Sequence, residues 1–415
     1  VMSRVPQRSG GSSDRYIVGL DIGTENVKAL IGKINGESVD IIGTGKARQG
    51  LSDMQAGAVA DIAAVTANCN AALAQAEEQA GVSARAVVVG IAGELVKGTT
   101  ISVRVTRKDT KKPLDEEEVD KIISLVQKRA FERSRAHIAA ELGGKEVDVQ
   151  LVNSALVRME IDGYVVTNPV GFQGKEVVVQ LYTAFAPLIH IGALEQVVHQ
   201  LDMDLLAVAA EPFAVARSVV GNDSDSTMSA VLMDVGGGTT DIAVLNEGGV
   251  QGTKMFGIGG RAFTRSIERD MGVTFDEGET LKLALGKGAV PDTKKKAVEK
   301  ALGKTVKVWR SGVELALAEF QGLDHLPHTI LLCGGGASLN QLVDELEQTS
   351  WYRGLPFAKK PTIKYISPES VVGISDSTDK LDDHTFITAM GLLRVGIDTI
   401  GQTDESDEEN SSIKD

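Results

Sequence analysis

The spacing of apolar and polar residues changes several times along the 415-residue chain. A β-branched run at 16–24, Tyr-Ile-Val-Gly-Leu-Asp-Ile-Gly-Thr, ends in an acidic, glycine-bearing turn. Strand-like runs at 27–34 and 38–43 flank Asn35-Gly36, a dipeptide that accepts the positive φ of a tight hairpin. From 54 to 80, apolar or small residues recur at Val59, Ile62, Ala63, Cys69, Leu73 and Ala76, and Gly81 follows, which predicts a helix and its stop. A strand is expected at 86–91.

About two hundred residues later the opening recurs. Ala230-Val231-Leu232-Met233-Asp234 runs into Val235-Gly236-Gly237-Gly238-Thr239-Thr240-Asp241, then a second apolar run at 242–245. Two related α/β lobes, each opening on a strand, an Asp-Gly turn and a hairpin, are expected. Between them the pattern reads strand at 99–106, helix from Asp115 with Val119, Ile122, Ile123, Val126 and Ala130 on one face, then strands at 147–161 and 176–185. That order suffices for a small inserted domain. Residues 262–320 read as mostly helical and Lys-rich, a second insertion. A final helix is expected at 385–397, before an acidic, disordered tail from 404 to 415.

Composition narrows the function classes. Lys+Arg number 43 against 57 Asp+Glu, a net charge of −14, so a surface that tracks nucleic acid is disfavoured. Two cysteines, each in an apolar stretch, argue against a disulfide framework and for a reducing cytoplasm. The six histidines have no partner at metal-ligand spacing. No apolar run approaches the roughly 20 residues of a membrane span, and residues 1–14 read as a flexible arm without a signal-peptide core.

Three glycine signals carry the candidate chemistry. The turns at 21–24 and 234–241 each combine a carboxylate with glycines and hydroxyls, where unobstructed backbone N–H groups can converge on phosphate oxygens. Asp21 and Asp234, supplied by opposite lobes, could hold a hydrated Mg²⁺ through water, since Mg²⁺ keeps much of its hydration shell. Gly334-Gly335-Gly336 follows the strand-like 329–332, and three glycines let a flat ligand lie against backbone. Neither a Walker lysine motif nor a GxGxxG after a strand occurs, so P-loop and Rossmann readings lose support.

Taken in order, these residues resemble the actin, Hsp70 and hexokinase superfamily. Asp21-Ile22-Gly23-Thr24 is similar to its first phosphate loop, 234–241 to its second and Gly334-Gly335-Gly336 to its adenosine loop. Residues 209–214 and 387–393 resemble the two connecting helices. The inserted strand-helix-strand-strand unit, with Asn168-Pro169-Val170-Gly171 before its last strand, resembles that of the bacterial cell-division actin homologues of the FtsA family.

The resemblance implies an α/β fold of two duplicated actin-like (RNase H-like) lobes around a nucleotide cleft. The first lobe would comprise 15–92, 187–227 and 365–400, with the insert at 93–186. The second would comprise 228–260 and 327–364, with the helical insertion at 261–326. It also implies ATP and Mg²⁺ as cofactors. Asp21, Gly23 and Thr24 would line the phosphates from the first lobe, and Asp234, Gly236, Gly237, Gly238 and Thr239 from the second. Asp241 closes that loop or merely caps its turn. Glu211 resembles the position that orients an attacking water, its alternative being a helix-start carboxylate before Pro212. Gly259, Gly260, Arg265 and Glu268 lie where relatives contact the ribose.

Partners implied are the FtsZ C-terminal peptide, placed on the Lys-rich 262–320 region, further copies in an actin-like filament, later divisome membrane proteins, and the inner membrane at the division site. The family's membrane contact is a C-terminal amphipathic helix, which the final residues here do not contain; a truncated chain is the favoured expectation, and a different mode of attachment the alternative. Alternatives are a PilM-like pilus-assembly protein and a small-molecule kinase. A chaperone would need a further substrate-binding region.

Overall fold

The computed structural model describes residues 15–145, 147–221, 226–320, 323–348 and 350–412, without the side chains of 402–412. The first lobe opens as an antiparallel meander, β1 (Tyr16–Ile22), β2 (Asn26–Asn35) and β3 (Ser38–Arg48). A minimal hairpin of β4 (Met54–Gln55) and β5 (Ala58–Val59) precedes helix α1 (Ile62–Ala80) and strand β6 (Ala86–Ile91). The helix expected from residue 54 starts only at 62, because Ala56 and Gly57 take positive φ of 46° and 84°, a turn no helix continues through. Asp61 then caps α1 by accepting from Ala64 N, and Gly81 at φ 68° ends it.

The insert comprises β7 (Lys97–Thr106), α2 (Glu116–Glu141), β8 (Val149–Ile161), β9 (Tyr164–Val165) and β10 (Glu176–Pro187). Its own core, including Val103, Val126, Met159, Val179 and Phe185, lies between α2 and the sheet. The chain returns through α3 (Leu188–Gln200), β11 (Asp204–Ala210) and α4 (Glu211–Val220).

The second lobe runs β12 (Ala230–Val235), β13 (Thr240–Asn246), β14 (Gly249–Phe256), α5 (Gly260–Met271), α6 (Phe275–Gly286), α7 (Asp292–Ala318), β15 (Thr329–Cys333), α8 (Asn340–Gln348) and β16 (Thr362–Tyr365). Strand β17 (Ile374–Asp376) and helix α9 (Ile387–Ser412) complete the chain. Helix α9 continues past the expected end near 397, with no proline in its path. The side chains of the acidic stretch, like residues 1–14, fall outside the described residues.

Sheet order bears out the duplication. The first sheet reads β11-β6-β1-β2-β3-β17, with β6 parallel to β1 and β11 parallel to β6. The second repeats that plan as β16-β15-β12-β13-β14, with β15 parallel to β12 and β16 parallel to β15. Strands β1 and β12 are covered on both faces, which is why their apolar runs are nearly continuous. The insert's sheet is not separate: β7 pairs with β14, so one nine-stranded sheet runs from the second lobe into the insert. Gly98 makes that junction possible, since a Cβ there would lie 1.9 Å from Thr253 Oγ1. Helices α4 and α9 cross closely between the lobes, where a Cβ on Gly391 would meet Ala214 O at 2.2 Å.

Candidate functional site

Both acidic turns stand at the C-terminal ends of the first strands of their lobes, and they meet. A Cβ on Gly237 would come 2.8 Å from Glu25 N, and one on Gly238 would come 2.5 Å from Thr24 Oγ1. Beside this contact lies an interlobe cavity of about 750 Å³, ample for a small-molecule ligand. Asp21, Gly23, Thr24, Glu211, Asp234, Gly236, Gly237, Gly238, Thr239, Gly260, Gly334, Gly335 and Gly336 all line it. The sequence-predicted loops therefore converge on one space. Gly334 has φ 85°, and a Cβ there would approach Asp234 Oδ1 to 2.0 Å, so the third loop is pressed against the second.

The cavity floor is unusually acidic for a buried place. Asp21, Glu211 and Asp234 are at least nine-tenths buried around the Lys28 ammonium, and Asp241, as deeply buried, is the register partner of Asp234. Lys28 Nζ donates to Asp21 Oδ2 at 3.1 Å, and Thr388 Oγ1 donates to Asp234 Oδ2. Burial, with Asp21, Asp241 and Asp234 nearby, pushes Glu211 well above the usual carboxylate range. Burial and Asp234 do the same to Asp241, whose Oδ1 has no hydrogen-bond partner. Asp234 is also raised by burial, despite the Thr388 hydroxyl. Burial works against the Lys28 charge, but Asp21, Asp234 and Glu211 outweigh it and raise its pKa.

Such a surplus of hard oxygen donors over cations suits a hydrated divalent ion of the Mg²⁺ type. Among the described residues, no three His, Cys, Asp or Glu side chains are grouped to ligate a metal directly.

Three residues expected near a ribose do not line the cavity. Arg265 is exposed, its guanidinium 5.7 Å from the centre of the Phe275 ring, and neither it nor Glu268 lines the cavity, because the buried side of α5 is the one bearing Arg261 and Thr264. Gly259 sits behind the second turn, packed on Gly236 O and Gly237. Lys28, Arg261, Glu279 and Lys282 contribute walls that sequence reasoning missed. Lys28 could have been found by pairing the hairpin outward from its turn, which sets it opposite Asp21. On the insert, Arg107 is buried and bonded to Glu118 at 2.7 Å.

A family profile described as Cell division protein FtsA matches residues 231–391, a stretch holding the second turn, the third glycine loop and the start of α9. The Streptococcus pneumoniae cell division protein FtsA is 27% identical over 352 residues, 79% of this chain and 72% of that protein. The Pseudomonas aeruginosa FtsA is 25% identical over 410 residues, 93% of this chain and 90% of that protein. The chain is similar to these FtsA proteins. Among solved structures, the PilM-PilN type IV pilus biogenesis complex superposes with a TM-score of 0.66 at 16% identity, covering 93% of this chain and 99% of that one. That likeness concerns fold alone. With the repeated strand order it bears out the expected pair of actin-like lobes, and the FtsA relationship bears out the family resemblance read from the motifs.

Proposed function

We propose that this FtsA relative is an actin-like cell-division protein that binds Mg-ATP between its lobes. The observation carrying this reading is the convergence of two acidic glycine turns and a third glycine loop on one cavity. Gly23, Thr24, Gly236, Gly237, Gly238 and Thr239 would meet the phosphates through backbone N–H and hydroxyl groups. Gly334, Gly335 and Gly336 would lie against the base and sugar. Asp21 and Asp234 would hold Mg²⁺ through water, and the ion would offset phosphate charge. Glu211, buried at the same cavity, would orient a water when ionised, and burial, which raises its pKa, works against that ionised form. Any hydrolysis would be slow, in keeping with a nucleotide-dependent scaffold.

By the same relationship we propose self-assembly into filaments, docking of the FtsZ C-terminal tail, recruitment of later divisome proteins, and action at the cytoplasmic face of the inner membrane. Helix α7 supports the tail site, for Lys304, Val308 and Leu315 are exposed on it at helical spacing. Among the described residues no helix is long and apolar enough to cross a membrane. The alternative partner reading is docking of a pilus-partner peptide, and the PilM likeness bears on it through fold alone. Calorimetry with Mg-ATP tests the first claim: wild type binds and Asp234→Ala binds at least tenfold more weakly, whereas equal affinities reject the site. Competing FtsZ-tail and pilus-partner peptides in a binding assay separates the two partner readings.

A further inference from the structure

Arg261 joins both phosphate turns. It is the second residue of α5, and its backbone N donates to Gly237 O at 2.8 Å, beside Gly260 N to Gly236 O at 2.8 Å. The start of α5 is therefore fixed to the second turn. Its side chain crosses to the first lobe: Nε donates to Glu25 Oε2 at 2.7 Å, Nη1 to Leu51 O at 3.3 Å, and Nη2 to Gln49 O at 3.3 Å and Gly50 O at 3.1 Å. Glu25 directly follows Thr24 of the first turn, and its carbonyl accepts from Gln49 N at 2.9 Å.

That guanidinium is 10% exposed, so its pairing is weakly screened. The neighbouring tie, Arg48 between Glu25 and Asp276, is half exposed and contributes little. A planar fork satisfying one carboxylate and three carbonyls at once demands one relative placement of the lobes.

We infer that Arg261 is a positioning residue that sets the spacing between the two phosphate turns, acting through Glu25 and the 49–51 carbonyls and not as a phosphate ligand. The inference rests on the nucleotide reading above. Opening the cleft at these turns must break this set of bonds, so the protein's own side chains favour the observed spacing and would favour a ligand that bridges both turns.

The test uses the full chain with spin labels on cysteines introduced by Glu78→Cys and Glu299→Cys, one exposed site in each lobe; the native Cys69 and Cys333 are buried and escape labelling. Arg261→Ala is expected to lengthen or broaden the interlobe distance and weaken Mg-ATP binding roughly tenfold or more. Arg261→Lys, which can reach Glu25 but not all three carbonyls, should fall between. Glu25→Ala combined with Arg261→Ala should be little worse than Arg261→Ala alone, because the further tie it removes, to the half-exposed Arg48, contributes little. Circular dichroism checks that each variant is folded. Unchanged affinity in folded Arg261→Ala overturns the inference. So does lost affinity at an unchanged interlobe distance, which would make Arg261 a direct phosphate ligand. If the wild type binds no nucleotide, the nucleotide reading fails, and the distance measurement on the free protein still decides whether Arg261 sets the spacing.

Discussion

Asp21 and Lys28 are register partners in the β1–β2 ladder, with the ammonium donating to the carboxylate at 3.1 Å. Three buried carboxyls, Asp21, Glu211 and Asp234, line the interlobe cavity with this cation, and Asp241 is buried beside Asp234. Lys28→Met should therefore leave a buried acidic cluster without its counter-charge, lowering stability at pH 7 by about 3 kcal/mol, the scale of breaking a buried pair. The sign follows from the raised pKa of Lys28. Its contribution is complete below the unfolded lysine value of about 10.4 and is lost only as pH rises through the higher folded value. Urea unfolding of both proteins at pH 7 checks the loss, and added Mg²⁺ should recover part of it.

Glu211 and Asp241 work in the opposite sense. Burial raises both in the folded state, so the free protein is best accommodated below about pH 4, where even unfolded carboxyls are protonated. Stability is then lost as pH rises towards the folded values. Glu211→Gln should raise the melting temperature of the nucleotide-free protein at pH 7 to 8, and this gain should shrink towards pH 4. The same substitution should leave ATP affinity nearly unchanged while reducing any hydrolysis, since a water-orienting carboxylate acts on the chemical step. Undiminished turnover would reduce Glu211 to a residue that starts α4.

Much of this site was legible because glycine turns are local. Asp21, Gly23, Asp234 and Gly236 declare themselves by residue type and spacing, and the repeated opening announced two lobes. Arg261 was missed because its partners lie more than 200 positions away, at Gln49, Gly50 and Leu51. No periodicity along α5 distinguishes a buried cross-lobe arginine from the exposed Arg265. The joining of β7 to β14 was hidden for the same reason, because strand pairing between distant segments leaves no mark on either one. Local turn chemistry misled only at 54–59, where helical spacing of small residues masked a hairpin.

Gly334 and Gly335 make a controlled pair for the third loop. A Cβ on Gly334 would collide with Asp234 and with Val235 O, at a φ of 85°, whereas one on Gly335 meets nothing within 4 Å. Gly334→Ala should cost at least about 1 kcal/mol of stability and also disturb the cavity. Gly335→Ala should leave the melting temperature of the free protein unchanged. If a flat base lies against this backbone, Gly335→Ala will still weaken ATP binding. Differential scanning fluorimetry with and without Mg-ATP reads both effects, and an unaltered nucleotide response in Gly335→Ala would place the base elsewhere.

Helix α7 offers the test of partner choice. Lys294, Lys295, Lys296, Lys300, Lys304 and Lys307 are exposed along it, with Val308 and Leu315 continuing an accessible apolar line. Arg310 does not add to this charge, because it is held by Glu314 and by Glu345 at 2.9 and 2.8 Å. An acidic peptide with apolar anchors would gain steering from the lysines and contact area from Val308 and Leu315. Charge reversal at Lys295 and Lys296 should slow association and flatten its salt dependence, because rim charges act mainly through long-range attraction. Leu315→Asp should instead speed dissociation, since it removes a desolvated contact and adds a charge repelled by the peptide. Surface plasmon resonance with the FtsZ C-terminal peptide separates the two rates. Intact affinity in both variants would move the docking site off α7, and a shift in the association rate alone would leave the apolar line outside the contact.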